Sequence, residues 1–167
     1  VTVISGRFDD LRRTFFLISD DPRVLGILIA FCFGGLLEAL AGFGAPVAIA
    51  AAMLIAIGFG KLRGAITALV ANTVPVAFGA VGLPVLMAAK TGGLDVAMVA
   101  PVTARVCAVL CLVVPFLMLA IMDGRKGVRE CWPFGLFVGV VFGVTKVIVG
   151  GTPVYNLTEI FAAVVTV

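Results

Sequence analysis

The chain has 167 residues, 62% of them apolar, with a mean hydropathy of +1.26 and a formal net charge of +3. Charged residues make up 13%, about half the share of a soluble domain, which is too little polar material to cover a water-facing surface. The basic excess sits in short clusters between apolar runs, with no basic face carrying interleaved aromatics, and this excludes a nucleic-acid partner.

Residues 1–23 are mixed and charged, with Arg7, Arg12, Arg13 and Arg23 set among Asp9, Asp10, Asp20 and Asp21. An apolar stretch then runs from Val24 to Gly60 with one interrupting charge, Glu38, and a GFGAP break at 42–46. It is too long for one untilted crossing of a core about 30 Å thick, which takes roughly 20 helical residues. The connector Lys61-Leu62-Arg63 leads to an apolar run over 64–89 that is broken at ANTVP, 71–75. A short loop precedes the run 96–122, which carries Arg105. The basic loop DGRKGVREC follows at 123–131, then a run over 132–150 holding Lys146, and a last apolar segment from about Ile160.

The spacing predicts an all-α, polytopic helical membrane protein. It has about five to six apolar segments, near 24–42, 45–60, 64–89, 96–122, 132–150 and 160–167 onward, two of them interrupted by Gly/Pro breaks. All of 1–167 reads as part of one transmembrane transporter domain. The chain starts without methionine and stops inside an apolar run, so a truncation at both ends is expected. There is no ordered signal peptide.

Charge distribution orients the segments, because cytoplasmic loops collect Lys and Arg. If 24–60 leaves and returns to one side, the start, the 61–63 connector and the 123–131 loop share that side. They then hold nine Lys and Arg against Lys90 alone opposite. A single crossing leaves no bias. The expectation is an out-and-back pair or a re-entrant hairpin, with the N-terminal segment cytoplasmic. Trp132 and Tyr155 flank one run and fit an aromatic belt, and Lys146, near a span end, reads as a snorkelling anchor.

Enzyme chemistry finds no support. The chain lacks histidine, so neither a Ser-His-Asp nor a Cys-His arrangement is possible, and no P-loop is present. Cys32, Cys107, Cys111 and Cys131 form no CxxC pair, so neither a metal nor a cofactor is expected. Cys107 and Cys111 read as packing residues on one helix face.

Three features point instead to transport. Glu38 is the one carboxylate well inside an apolar run, where a charge costs about 2.5–3.5 kcal/mol on insertion scales. A cation, a water-filled cavity or a proton must offset that cost, so Glu38 is the candidate proton-coupling residue. At the second break Pro75 interrupts the helix, and Asn72 and Thr73 stand where they can cap a half-helix. A half-helix N-terminus suits a small carboxylate. The first break offers similar geometry at Pro46, with Gly42 and Gly44 permitting close approach of ligand or backbone. Arg105 is the third feature, a candidate partner for an anionic substrate or for Glu38.

LEALAGFGAPVAIAAAM at 37–53 resembles the LEGxAGFGTPVAI hallmark of the bacterial lactate permease family, and ANTVPVAFGAVGLPVLMA at 71–88 resembles that family's NTxPVAFGxxGxP. MDGRKGVRECWP at 122–133 is similar to its loop MDGxKGVxExWP, and the opening segment up to Gly34 also reads like the family. The likeness covers nearly the whole chain in the right order. It implies a secondary active transporter of the bacterial inner membrane, importing lactate, and often glycolate or related 2-hydroxymonocarboxylates, with protons. Two departures, Ala39 for the usual Gly and Ala45 for the frequent Thr, bear on substrate preference. Two rivals stay open: a sodium-coupled carrier of dicarboxylates or other organic anions, and a non-transporting membrane component. The expected partners are a small monocarboxylate, protons and the lipid bilayer, while the residues set no oligomeric state.

Overall fold

The computed structural model of the chain describes residues 19–42 and 44–167. The described residues are helical, with no strand among them. Arg7, Arg12 and Arg13 lie outside the described residues.

Helix α1 spans Pro22–Ala41. The Asp21 carboxylate accepts from the Arg23 backbone N–H at 2.9 Å and Pro22 occupies the first turn, which together satisfy a helix start. Its middle, Leu28–Phe33, is wound as a π-helix and is buried from Leu28 to Cys32. The helix stops at Gly42, whose φ of 57° and ψ of −169° form a backbone conformation essentially confined to glycine. Helix α2, Ala45–Ala56, starts from Gly44 with Pro46 in its first turn. At 1.5 Å per residue it is about 18 Å long, so this returning element falls short of a full crossing.

Helix α3, Lys61–Asn72, is followed by a 3-10 turn over Val76–Phe78 and by α4, Gly79–Gly92. The two halves are bent by 56°, as Pro75 demands. Inside α4, Ala80, Val81 and Gly82 all have left-handed φ values, 45°, 58° and 76°, so the regular helix resumes only beyond them.

Helix α5 runs Val96–Gly150 but is broken at Asp123 and Gly124. The two arms fold back on each other: Gly139 lies on the Cys111 carbonyl, Gly143 on Ala108, and Gly150 on Ala104. Small residues permit this close antiparallel packing. The turn is shorter than the nine-residue loop the sequence suggested. Arg125, Lys126, Arg129 and Glu130 are good helix formers, so the helix restarts directly after Gly124. A 3-10 turn at Tyr155–Leu157 leads into α6, Thr158–Thr166.

Among the described residues two helices, Pro22–Ala41 and Val96–Gly150, are long and apolar enough to cross a membrane, or three if the bent pair is one span. The main core gathers the π-helical stretch of α1 with α2, α3, α5 and α6, where Phe31 and Phe142 meet edge to face at 4.9 Å. The outer face of α5 is apolar and exposed, from Val102, Val106 and Val109 to Val144 and Ile148. An apolar exterior over a packed interior suits a lipid environment.

At one end of the molecule, Arg23 pairs with Asp21, Asp123 and Glu130 at 2.8, 3.1 and 2.7 Å. Gly26 packs there against Met122 and Phe59. The start of α1, the connector after α2 and the turn of α5 therefore share one end, which is the spatial arrangement of an out-and-back α1–α2 pair.

Candidate functional site

The two interrupted segments meet. Gly42 at the end of α1 faces Ala80 in the left-handed turn of α4, and Gly79 lies against the Glu38 carboxyl. Pro75 and Phe142 pack on Gly35, one helical turn before Glu38. Glu38 is 4% exposed, and its Oε2 has no hydrogen-bond partner among the described residues. The sequence expectation of a buried acid beside two broken helices is thus met in the geometry.

The polar capping foreseen at the second break is not. Thr73 is exposed and its hydroxyl donates to the Val70 carbonyl at 2.7 Å, closing the end of α3 instead of opening the next helix. Asn72 is the half-buried last residue of α3, and neither Val76–Phe78 nor α4 has a side-chain cap. The chain turns here through left-handed backbone, so no capping side chain is used. Of the glycines at the first break, Gly42 is buried and Gly44 exposed. Arg105 is exposed on α5 beside Val102 and Val106, and makes no ion pair among the described residues. The structure does not bring it to Glu38.

A different cation is buried near the break. Lys146 is fully buried, and its Nζ lies 2.5 Å from Glu159 Oε1 and donates to the Val74 carbonyl at 2.7 Å. Phe142 and Phe78 flank the ammonium at 5.5 and 5.7 Å, within the range of cation–π attraction. Glu159 is also fully buried, with Oε2 unpartnered among the described residues, and lies within electrostatic reach of Glu38. This overturns the reading of Lys146 as a snorkelling anchor. Counting residues from the span end placed it near the surface. The side chain instead follows the inward stripe of Gly135, Gly139 and Gly143, one turn on. That stripe was the signal in the sequence. Glu159 gave none, because it opens an apolar run directly after a polar loop. Tyr155 likewise packs inward, against Gly82 and the Phe78 cluster.

Two buried acids and one buried base thus gather around the second break, Lys146 on the Val74 carbonyl with Glu159 beside it and Glu38 against Gly79. A set of this kind can exchange protons and hold a small anion. No group of His, Cys, Asp and Glu among the described residues has the arrangement of a metal site.

The L-lactate permease family matches the chain over residues 1–167. The chain belongs to the L-lactate permease family. Among its relatives, a glycolate permease of Escherichia coli (strain K12) is 44% identical over 167 residues, covering 100% of this chain and 30% of that protein. An L-lactate permease of Salmonella typhimurium is 42% identical over 146 residues, 87% of this chain and 26% of the relative. The L-lactate permease of Bacillus subtilis (strain 168) is 39% identical over 166 residues, 99% and 30% respectively. The chain therefore spans less than a third of the length of these permeases. No solved structure is significantly similar to it.

Proposed function

We propose that this permease segment forms part of a carrier that imports lactate, and with it glycolate or similar 2-hydroxymonocarboxylates, together with protons across the bacterial inner membrane. The family and the names of its relatives support the substrate class. The observation that carries the mechanism is Glu38, enclosed with one oxygen unsatisfied where the two broken segments meet. An ionised carboxylate so enclosed costs several kcal/mol unless a cation or a proton accompanies it. A carrier that loads a proton together with its anion meets that requirement at each turnover.

In this reading α1 and α2 form an out-and-back pair, α3 and α4 a broken crossing, the arms of α5 two more, and α6 opens a further one. The set amounts to about five to six segments with the N-terminal segment cytoplasmic. The anion sits between the breaks, near Gly42, Gly44, Asn72 and Thr73, where alternating access has flexible backbone to work on.

The test is uptake of labelled lactate and glycolate by the full-length protein in proteoliposomes under an imposed pH gradient, with and without sodium. Accumulation driven by the pH gradient alone is expected. Glu38→Gln is expected to abolish accumulation while leaving lactate–lactate exchange partly intact. A Gln variant that still concentrates lactate removes Glu38 from the coupling role, and strict dependence on sodium replaces the proton as the coupling ion.

A further inference from the structure

We propose that Lys146 is the group that binds the substrate's carboxylate, and that Glu159 holds that position in the empty site as a built-in carboxylate, released when the substrate enters. The inference rests on the transport reading above and adds to it the ligand for the anion.

Four observations carry it. Lys146 is enclosed with no exposure, yet an ammonium has three N–H donors, and its hydrogen bond among the described residues goes to the Val74 carbonyl, with Glu159 Oε1 in ionic contact at 2.5 Å. Glu159 has the same charge and the same head group as a monocarboxylate substrate. Neither Glu159 oxygen has a hydrogen-bond partner among the described residues, so the pair falls short of the full hydrogen bonding that a structural ion pair in apolar surroundings requires. Finally, the carbonyl that shares the ammonium belongs to Val74, directly before Pro75. What Lys146 holds is thereby linked to the broken segment that must move.

The exchange balances in charge without any covalent change. The entering anion takes the ammonium from Glu159 and adds one negative charge to the cluster. One proton from solution, held by the two carboxylates Glu38 and Glu159, offsets it. The titratable groups facing the pair from neighbouring elements are Glu38 on α1 and the thiols Cys107 and Cys111 on the first arm of α5. The remaining basic groups of α3 and α4, Lys61, Arg63 and Lys90, are exposed at helix ends.

A built-in competitor lowers apparent affinity by the fraction of time it leaves the lysine free. Glu159→Gln, isosteric but uncharged, is therefore expected to tighten lactate binding by about tenfold or more, although the empty variant, holding an unpaired lysine, melts earlier than the wild type. Lys146→Met with Glu159→Gln removes both charges together, which a protein interior commonly tolerates. That double variant is expected to fold and to lose lactate binding.

The measurement is the lactate-dependent thermal shift of the full-length protein in detergent, titrated to give Kd for wild type, Glu159→Gln and the double variant. A purely structural ion pair predicts earlier melting with unchanged or weaker Kd in Glu159→Gln, and that result overturns the proposal. A folded double variant with wild-type Kd overturns it as well. If the double variant does not fold, the Kd of Glu159→Gln decides alone. If wild type responds neither to lactate nor to glycolate, the transport reading fails first. Failure confined to the variants leaves that reading standing and removes only this assignment.

Discussion

Gly42 and Ala80 show how single residues set the site. Gly42 adopts φ 57° and ψ −169°, and a Cβ there would stand 2.8 Å from the Cβ of Ala80, which is itself held at φ 45°. The second break is thus strained backbone, at a cost of about 1–3 kcal/mol, pressed against a conformation that glycine adopts freely. Gly42→Ala adds a Cβ to a conformation that forbids it and to a space that lacks room. A loss of about 2–4 kcal/mol of stability is expected, read as an earlier melt in detergent. Ala80→Gly in the same chain is expected to recover more than Ala80→Gly gains alone by relieving its own left-handed φ, because it also removes the opposing Cβ, while the strain of an alanine at position 42 remains. If the double variant equals the sum of the two single effects, the two breaks do not touch. The breaks were legible in GFGAP and ANTVP because Gly and Pro act locally. That the breaks face each other was not, since two segments separated by a returning helix carry no mutual signal. Glu38 was legible for the same local reason as the breaks, being a lone charge in a long apolar run. The depth of Lys146 was not legible from its distance to a loop along the chain, because the Gly stripe and not that distance fixes the direction of its side chain.

Among the elements, the α5 hairpin is held by its glycines. A Cβ at Gly139 would reach 2.5 Å from the Cys111 carbonyl, and one at Gly143 would reach 3.2 Å from that of Ala108. Backbone cannot yield as a flexible side chain does, so Gly139→Ala is expected to cost about 1–3 kcal/mol and Gly143→Ala clearly less. Thermal melts of the two variants give the order, and equal losses mean that the arms pack less closely than this. The helical spans of the hairpin were legible from hydropathy, yet the turn between them was overestimated. Basic residues at 125–131 were read as loop because they are charged, although they extend the helix well. At the other end of this element, α6 is tied back through Glu159 and its packing against α1 and α5. Its partnership is a tertiary fact that no local pattern carries.

For the molecule as a whole, the acid-bearing end is organised by one guanidinium. Arg23 joins the start of α1 to Asp123 at the α5 turn and Glu130 beyond it, and the hydrogen bonds it donates from its side chain, with its charge behind them, hold the Asp21 carboxyl below the usual carboxylate range. A lowered folded value means that this stabilisation is complete above the unfolded value, about 3.9, and is lost as the pH falls through that value to the lower folded one. Melts between pH 6 and 3 are expected to drop less steeply at the acid end in Arg23→Gln than in wild type. Equal slopes detach Asp21 from the effect. The same cluster also carries the orientation argument, since it gathers at one end the three chain segments whose basic residues outnumber those opposite. In a cysteine-free background of the full-length protein, Lys61→Cys and Lys126→Cys are expected to react with an impermeant maleimide only in inside-out vesicles. Lys90→Cys is expected to react only in intact cells. All three side chains are exposed in this chain, and a cysteine that labels in the detergent-solubilised protein but not in vesicles reports sidedness. If Lys61→Cys reacts from the same side as Lys90→Cys, α1 and α2 do not return together, and the cytoplasmic placement of the N-terminal segment falls with that pairing.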